Sequence, residues 1–208
     1  MKIQFFITLL LLSSFSGCLD NLLGNEETEN SSPPVGLSKQ CILHDDKERC
    51  WLILIPENID FTKENPLIID MHGIGGSMYL QHNLTRFANI SEEYGFYVAY
   101  PQGFNNEWNM ADDLCCGDED DFGFILEMIE TIIQRYTVDE SRIYSTGWSN
   151  GCGMTQRLVT QASEIFAAAA CSSMYFLDQP SPDYSPIPFM EIHGLVDELV
   201  HYPSLSLV

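Results

Sequence analysis

The sequence predicts an α/β fold in which a mostly parallel β-sheet carries helices on both faces. Three observations lead to this prediction: short runs of apolar residues, amphipathic segments between them, and Gly or Pro at the end of most runs. A run that is apolar throughout is typical of a strand with both faces covered, as in a parallel sheet. The strands predicted in this way span residues 51–55, 67–71, 96–100, 142–146, 166–171 and 189–192.

Amphipathic segments predict the helices. Apolar stripes at helical spacing run through residues 80–94, 124–133 and 154–162. Asp120 and Asp121 stand before the second stripe, where carboxylates suit the positive end of a helix dipole. Strands and helices that alternate along a chain favour right-handed crossovers within one sheet.

The composition limits the class of protein and its partners. The chain has 208 residues, of which 45% are hydrophobic and 12% aromatic, and this is typical of one globular domain with a sizeable core. Its formal net charge is -21 at pH 7, and the sequence has no basic stripe. Because such a surface repels phosphate groups, we expect no nucleic-acid partner and no direct binding to anionic membranes.

Residues 1–18 are predicted to be a signal peptide. Lys2 precedes an apolar run at residues 3–15, which is too short to cross a bilayer as a helix of about 20 residues. Residues 15–18 resemble a lipobox, in which the cysteine becomes the lipidated amino terminus, although Phe15 replaces the usual aliphatic residue. We therefore expect lipidation at Cys18 and attachment to the cell surface, with plain secretion or an uncleaved membrane anchor as alternatives.

A change in composition marks the start of the domain. Residues 19–39 are rich in Asn, Glu, Ser and Pro and cannot bury much apolar area. This segment is predicted to be a flexible tether. The α/β domain is then expected to cover residues 40–208.

The remaining cysteines are even in number if the lipobox cysteine is lipidated, so an exported chain is expected to form disulfides. They are Cys41, Cys50, Cys115, Cys116, Cys152 and Cys171. Cys41 and Cys50 flank a polar turn, which favours a bond across a hairpin. A bond within the adjacent pair 115–116 would be strained, so we expect that pair to reach Cys152 and Cys171. No CxxC spacing or histidine cluster indicates a metal site.

Residues 147–151, GWSNG, match the G-x-S-x-G pattern of a nucleophilic serine. The segment lies between a predicted strand and a predicted helix. A tight turn there crowds the backbone, so glycines flank the serine and the turn lifts its hydroxyl above the sheet. The helix that follows points its amino terminus at the site, where partial positive charge favours an oxyanion. This context predicts Ser149 as a nucleophile rather than as part of a structural turn.

Residues 72–77, HGIGGS, form a glycine-rich turn after an earlier strand. Such a turn can present an N–H group to a developing oxyanion, and we expect the N–H groups of Ile74 and Asn150 to do so. An ordinary loop and a phosphate-binding loop are the alternatives, but the turn lacks the ending and spacing of nucleotide-binding motifs. His72 is expected to brace the loop rather than act as a base.

Residues 193–197, HGLVD, follow the last predicted strand. An aspartate just past such a strand can reach the edge of the sheet where the nucleophile lies. In the chain order Ser, Asp, His, Asp197 is predicted to be the acid that orients a catalytic imidazole. A surface aspartate without a catalytic role is the alternative.

The motifs, in this order, resemble the esterase family that contains polyhydroxybutyrate depolymerases and feruloyl esterases. That family carries an H-G-x-G-G-S loop, a D-D-x-G-F-I helix start, a G-x-S-N-G elbow, a Met-Thr pair after it and an H-G-x-x-D segment. The matching positions are residues 72–77, 120–125, 147–151, 154–155 and 193–197. Over about residues 40–203, the resemblance implies an α/β-hydrolase fold and carboxylic-ester hydrolysis through an acyl-enzyme, without metal or cofactor. The implied substrate is an ester, either small or polymeric, such as a polyester or a plant polysaccharide ester.

Two features depart from the family's motifs, namely Cys152 and the position of the catalytic His, and a third, Trp108, does not identify the substrate. Cys152 stands where the family usually has Gly. Trp108 is predicted to contact an acyl or aromatic group of the substrate, although it could instead cover the core. The catalytic His of the family follows a further strand after the aspartate, and His201 aligns with a non-catalytic position. We therefore expect a truncated sequence with the base beyond Val208. A pseudo-hydrolase that only binds ligand and a serine peptidase of the same fold are the rival functions.

Overall fold

The computed structural model describes residues 33–111, 116–175 and 179–202. These residues belong to a unit that spans Pro33–Val208. The predicted signal peptide, the lipidation at Cys18 and residues 19–32 of the predicted tether lie outside the described residues. Every helix within the described ranges is shorter or more polar than a bilayer-crossing segment needs to be.

Seven strands of the described residues form one sheet in the order β1-β2-β4-β3-β5-β6-β7. The first two pairings, β1 with β2 and β2 with β4, are antiparallel, and all others are parallel. The strands are β1 Gly36–His44, β2 Lys47–Ile55, β3 Asn65–Met71, β4 Tyr97–Pro101, β5 Val138–Trp148, β6 Ala168–Ser172 and β7 Phe189–Ile192. The predicted α/β fold with a mostly parallel sheet is therefore confirmed.

In the described part of the chain, four α-helices connect these strands. They are α1 Met78–Thr85, α2 Phe87–Tyr94, α3 Asp121–Arg135 and α4 Asn150–Gln161, with short 3-10 turns at Phe104–Asn106 and Ser163–Ile165. The apolar stripe at residues 80–94 predicted one helix, but the structure has two. Arg86 between them adopts a left-handed conformation with φ 56°, which ends α1 and interrupts its hydrogen-bond ladder.

Helices cover both faces of the sheet, as predicted. Neighbouring residues of β2 point to opposite faces. Trp51 packs in a cluster with Phe124 of α3, whereas Leu52 packs in a second cluster with Met78 of α1. All four side chains are almost fully buried, and burial of one such side chain contributes about 1.5–3 kcal/mol.

The tether prediction was wrong at its carboxyl end, because β1 begins at Gly36 rather than after residue 39. Gly36 pairs with Ile55, and the ladder continues to His44 opposite Lys47. Exposed side chains interrupt β1, so the strand has no continuous apolar run to reveal it. The main-chain hydrogen bonds to β2 hold it in the sheet instead.

The predicted disulfide across a hairpin is confirmed. Cys41 and Cys50 are bonded, and they are directly paired residues of β1 and β2. The bond therefore ties the edge strand to its only neighbour among the described strands.

Candidate active site

Ser149 lies at the sharp turn between β5 and α4, in the context that its motif predicts. Its backbone has φ 53° and ψ -121°, a conformation that costs a non-glycine residue about 1–3 kcal/mol. The turn is held by main-chain hydrogen bonds from Ser149 N to Ser172 O (2.8 Å) and from Cys152 N to Ser149 O (2.8 Å). The serine is partly exposed at the carboxyl edge of the sheet. This is the geometry that a nucleophile elbow requires.

Glycines flank Ser149 because two backbone segments pass very close to the turn. A Cβ atom at Gly151 would lie 2.3 Å from the carbonyl oxygen of Met71 and 2.5 Å from that of His72. A Cβ atom at Gly147 would lie 2.4 Å from the carbonyl oxygen of Gly151. Both positions therefore exclude any side chain, as the sequence analysis predicted.

Gly151→Ala is expected to lower activity about 100-fold, because a displacement of about 1 Å at a catalytic group can cost that much. Forced overpacking should also reduce the free energy of unfolding by about 1–3 kcal/mol. Ester hydrolysis and urea unfolding measure the two effects. Gly194→Ala is the matched control for the unfolding measurement, since its new Cβ would meet nothing closer than 3.8 Å. Wild-type activity in Gly151→Ala would contradict the close packing described above.

The glycine-rich turn lies directly beside the elbow. Met71 at the end of β3 pairs with Gly147 at the end of β5. A Cβ atom at Gly73 would lie 3.1 Å from Cε3 of the Trp148 ring. The main-chain N–H groups of Ile74 and Asn150 donate no hydrogen bond to any described residue. They are therefore available to a ligand, and their role as oxyanion donors stays a prediction.

His72 braces this turn, as expected. It is 1% exposed, and its Nε2 accepts a hydrogen bond from Gly103 N at 3.0 Å. Since Nε2 accepts, Nδ1 carries the proton and donates to the carbonyl oxygen of Gly73 at 2.8 Å. Burial lowers the pKa of His72, which keeps the ring neutral. Both ring nitrogens of His72 are therefore hydrogen-bonded to main-chain groups of the surrounding loops.

The prediction that Trp108 contacts substrate was wrong. Its side chain is 0% exposed, so it has no surface to offer a ligand. The indole Nε1 donates to the carbonyl oxygen of His72 at 2.8 Å. Its main chain is clamped by the Asn150 side chain, which accepts from Trp108 N at 2.7 Å and donates to Trp108 O at 2.9 Å. Trp108 therefore supports the elbow and the glycine-rich turn from below.

Asn150 and Trp148 have roles that the sequence motifs did not predict. Only the main-chain N–H of Asn150 was assigned a role, but its side chain also holds Trp108 in place. The Asn of the G-x-S-N-G motif could have indicated this side-chain role. Trp148, directly before the nucleophile, is 47% exposed despite its size. An exposed aromatic ring next to Ser149 is a candidate contact for substrate.

The loop that carries Asp197 emerges from the same edge of the sheet as Ser149. Ser172 at the end of β6 pairs with Ile192 at the end of β7. Asp197 Oδ1 accepts hydrogen bonds from Leu199 N at 3.0 Å and Val200 N at 2.9 Å. These bonds lower the pKa of Asp197, and Oδ2 accepts no hydrogen bond from a described residue. Oδ2 lies 3.8 Å from His193 Nε2. A charged carboxylate with one oxygen outside the main-chain hydrogen bonds suits the predicted role of orienting an imidazole.

The histidines near Asp197 are engaged elsewhere. His193 contacts Glu191 through Nδ1 at 3.0 Å and the carbonyl oxygen of Val200 through Nε2 at 2.7 Å. His201 contacts the main-chain oxygen of Asp197 at 3.1 Å. Within the described part of the chain, no histidine hydrogen-bonds to Ser149.

The predicted pairing of residues 115–116 with Cys152 and Cys171 was wrong, because Cys152 and Cys171 are bonded to each other. Cys171 lies opposite Gly147 in the β5–β6 ladder, and α4 brings Cys152 over the same position. The bond therefore links the first turn of α4 to β6 beside the elbow. Cys116 is also disulfide-bonded, and Cys115 lies outside the described residues.

Asp70 is a buried carboxyl just before the glycine-rich turn. It accepts hydrogen bonds from Gln81 Nε2 and Thr85 Oγ1, both at 2.7 Å. Burial nevertheless raises its pKa from 3.8 to about 6. Folding therefore favours the protonated form.

Asp70 should make stability fall as the pH rises from about 4 to about 6, because the folded state binds more protons than the unfolded state in that window. Asn does not titrate, so we expect the free energy of unfolding of Asp70→Asn to fall by about 2–3 kcal/mol less than that of the wild type between pH 4 and pH 7. Urea unfolding of both proteins at pH 4 and pH 7 measures the difference. Asp183→Asn, at an exposed position, is the control. An unchanged pH dependence in Asp70→Asn would rule out this account.

Comparison with known proteins places these features in context. Residues 102–178 match the Prolyl oligopeptidase family. The chain is 29% identical over 160 residues to feruloyl esterase B from Piromyces equi, covering 73% of this chain and 30% of that protein. It is 26% identical over 157 residues to a bifunctional acetylxylan esterase/xylanase from Neocallimastix patriciarum, covering 74% of this chain and 22% of that protein. The chain thus spans less than a third of the length of these two relatives.

Solved structures agree on the fold. A thermostable esterase superposes with a TM-score of 0.69 at 21% identity, covering 79% of this chain and 48% of that one. An acetyl xylan esterase from Aspergillus awamori superposes with a TM-score of 0.64 at 20% identity, covering 79% of this chain and 74% of that one. The chain has the α/β-hydrolase fold and is similar in sequence to feruloyl and acetylxylan esterases.

Proposed function

We propose that this protein is a serine carboxylic-ester hydrolase. The observation that carries the proposal is Ser149 in a strained turn at the carboxyl edge of the sheet, with the glycine-rich turn packed against it. A nucleophile needs an exposed hydroxyl and nearby donors for the oxyanion. The similarity to feruloyl and acetylxylan esterases supports this chemistry.

In the proposed reaction, Ser149 Oγ attacks the ester carbonyl carbon and its proton passes to a general base. The N–H groups of Ile74 and Asn150 hold the negative oxygen of the tetrahedral intermediate. The intermediate then collapses, the alcohol leaves with the proton from the base, and water hydrolyses the acyl-enzyme by the same steps. Asp197 orients the base through Oδ2, the oxygen that makes no main-chain hydrogen bond. All five histidines of the sequence lie in the described residues and none hydrogen-bonds to Ser149, so we assign the base to none of them.

The proposal extends to the substrate class and to the location of the protein relative to the cell. The relatives named for feruloyl and acetylxylan esters support acyl groups on plant polysaccharides as substrates. Polyhydroxybutyrate is the alternative that the family resemblance implies. Disulfide bonds at Cys41–Cys50 and Cys152–Cys171 support an extracellular protein, and Cys18 is the proposed site of lipid attachment.

A substrate panel and an active-site label test the proposal together. Methyl ferulate, acetylated xylan, a polyhydroxybutyrate suspension and a chromogenic peptide are offered to the full-length protein under the same conditions. A fluorophosphonate probe, followed by peptide mass spectrometry, reports which serine is nucleophilic. We expect turnover of at least one ester and labelling at Ser149.

Other outcomes favour the rivals. Peptide cleavage without ester cleavage would support a peptidase, which the match to the Prolyl oligopeptidase family makes a specific alternative. Binding of the esters without turnover or labelling would support a pseudo-hydrolase, in keeping with the lack of a described histidine on Ser149. Labelling at another serine would overturn the assignment of the nucleophile.

A further inference from the structure

A histidine and three carboxylates meet where the β1–β2 turn contacts the start of α3, apart from the residues of the candidate active site. His44 ends β1, and Asp45 follows it in the turn. Asp120 caps α3, and Glu127 lies within that helix. We call these four residues the His44 cluster.

The distances within the His44 cluster suit ligands of one metal ion. His44 Nε2 lies 3.3 Å from Asp120 Oδ2 and 3.9 Å from Asp45 Oδ2. One atom from each of the three residues can be chosen so that all lie within 4.8 Å of one another. Around a tetrahedral ion bound at about 2.0–2.2 Å, neighbouring ligand atoms are separated by about 3.3–3.6 Å. The Nε2–Asp120 distance falls in this range, and Asp45 needs only a small movement to reach it.

The two nitrogens of the His44 ring differ in a way that favours metal binding. Nδ1 lies 2.7 Å from Glu127 Oε2. A carboxylate can only accept there, so Nδ1 carries a proton and donates. Nε2 is buried and faces Asp120 Oδ2 at 3.3 Å. This contact is an ion pair when the ring is doubly protonated, so a metal ion at Nε2 would take the place of that proton. A carboxylate on Nδ1 with a metal on Nε2 is the arrangement that orients metal-binding histidines.

Asp120 can serve as a ligand without giving up its structural task. Its Oδ1 accepts the hydrogen bond from Gly123 N at 2.9 Å that caps α3. Its Oδ2 is the oxygen that faces His44. The side chains of Asp45 and Asp120 are 70% and 51% exposed, so an ion can enter from solvent.

We propose that the His44 cluster binds a divalent transition-metal ion, with Zn²⁺ as the best fit. His44 Nε2, Asp45 and Asp120 would be the protein ligands, and water would complete a tetrahedral site. An imidazole ligand favours Zn²⁺ over Mg²⁺ or Ca²⁺, which prefer oxygen. The ion would join the β1–β2 hairpin to α3. The proposal is independent of the ester-hydrolase assignment, because none of its residues is among those assigned to catalysis.

The experiment uses the whole oxidised protein after treatment with a chelator. Zn²⁺ is titrated by calorimetry, the thermal midpoint is followed with and without Zn²⁺, and Co²⁺ is added as a coloured substitute for Zn²⁺. We expect one site, a Zn²⁺-dependent rise in the thermal midpoint, and a visible Co²⁺ absorption band.

Two variants and two controls make the test specific. His44→Gln and Asp120→Asn should each weaken Zn²⁺ binding at least about tenfold and remove the Co²⁺ band. Asn is as good a helix cap as Asp, so Asp120→Asn keeps α3 intact. His201→Gln and Asp46→Asn, which change an exposed histidine and the neighbouring exposed turn carboxylate, should bind as the wild type does.

Either of two results would overturn the proposal. The first is no saturable Zn²⁺ binding, which would mean that His44 is only an imidazolium paired with Asp120 and Glu127. The second is equal weak binding by all five proteins, which would mean diffuse attraction of cations to a chain with a net charge of -21.

Discussion

Ser149→Ala is expected to lower kcat/KM for ester hydrolysis roughly 1,000-fold or more, since removal of a catalytic serine leaves only the oxyanion donors and substrate binding. The loss should appear in kcat, because the hydroxyl makes its bond only after the substrate is bound. KM should change little. Initial rates on the ester that the substrate panel selects measure both constants.

The control for this variant is Ser141→Ala, the same substitution in β5, the strand that leads to Ser149. Ser141 is exposed, lies near the other end of β5 and contacts Asp139 through its hydroxyl. Its replacement should leave kcat within about twofold of the wild type. Substantial residual activity in Ser149→Ala, with a normal Ser141→Ala, would show that another group is the nucleophile. An unchanged thermal midpoint in both variants would confirm that folding is intact.

The buried part of the sheet could be predicted because burial on both faces leaves a local trace in the sequence. In β4, Tyr97–Pro101, every residue is buried, and an apolar run is the direct result. The elbow was equally predictable, since the close approach of Met71 to Gly151 leaves room for glycine alone. By contrast, β1 is stabilised by main-chain pairing with β2, and its partly exposed side chains carry no such trace.

Local sequence patterns could not predict the contacts between segments that are distant in the chain. Cys152 bonds to Cys171 because α4 and β6 lie side by side in space. Trp108 was predicted to contact substrate, but the carbonyl oxygen of His72 and the Asn150 side chain hold it in the core, which was the alternative. Both errors arose from side chains whose partners lie more than 18 residues away. The order of strands in the sheet, which brings those partners together, was not among the predictions.

Arg49 and Asp121 form a buried ion pair that joins β2 to α3. Their side chains are 3% and 2% exposed, and Arg49 Nη2 donates to Asp121 Oδ1. Asp121 Oδ2 also accepts from Asn109 N at 2.8 Å. The guanidinium lies 4.1 Å from the centre of the Phe124 ring. The pair thus fixes α3 and the segment after the 3-10 turn against the sheet.

Asp121→Ala is expected to lower the free energy of unfolding by about 3–5 kcal/mol, because it leaves a buried guanidinium without its counter-charge. Urea unfolding at pH 7 measures this loss. Asp118→Ala, which removes an exposed carboxylate nearby, should change stability by less than about 0.5 kcal/mol. A loss of under about 1 kcal/mol in Asp121→Ala would mean that water reaches Arg49 readily.

A double variant separates the value of the pair from the penalty of an unpaired charge. Arg49→Met combined with Asp121→Ala removes both charges, and replacement of a buried pair by apolar side chains is often close to neutral. We therefore expect the double variant to be more stable than Asp121→Ala alone. Any difference in the free energy of unfolding that remains between the double variant and the wild type would come from the lost hydrogen bond of Asn109 N and from the space left at residue 121. If the double variant were instead the less stable protein, Arg49 would stabilise the fold through its contact with Phe124 rather than through Asp121.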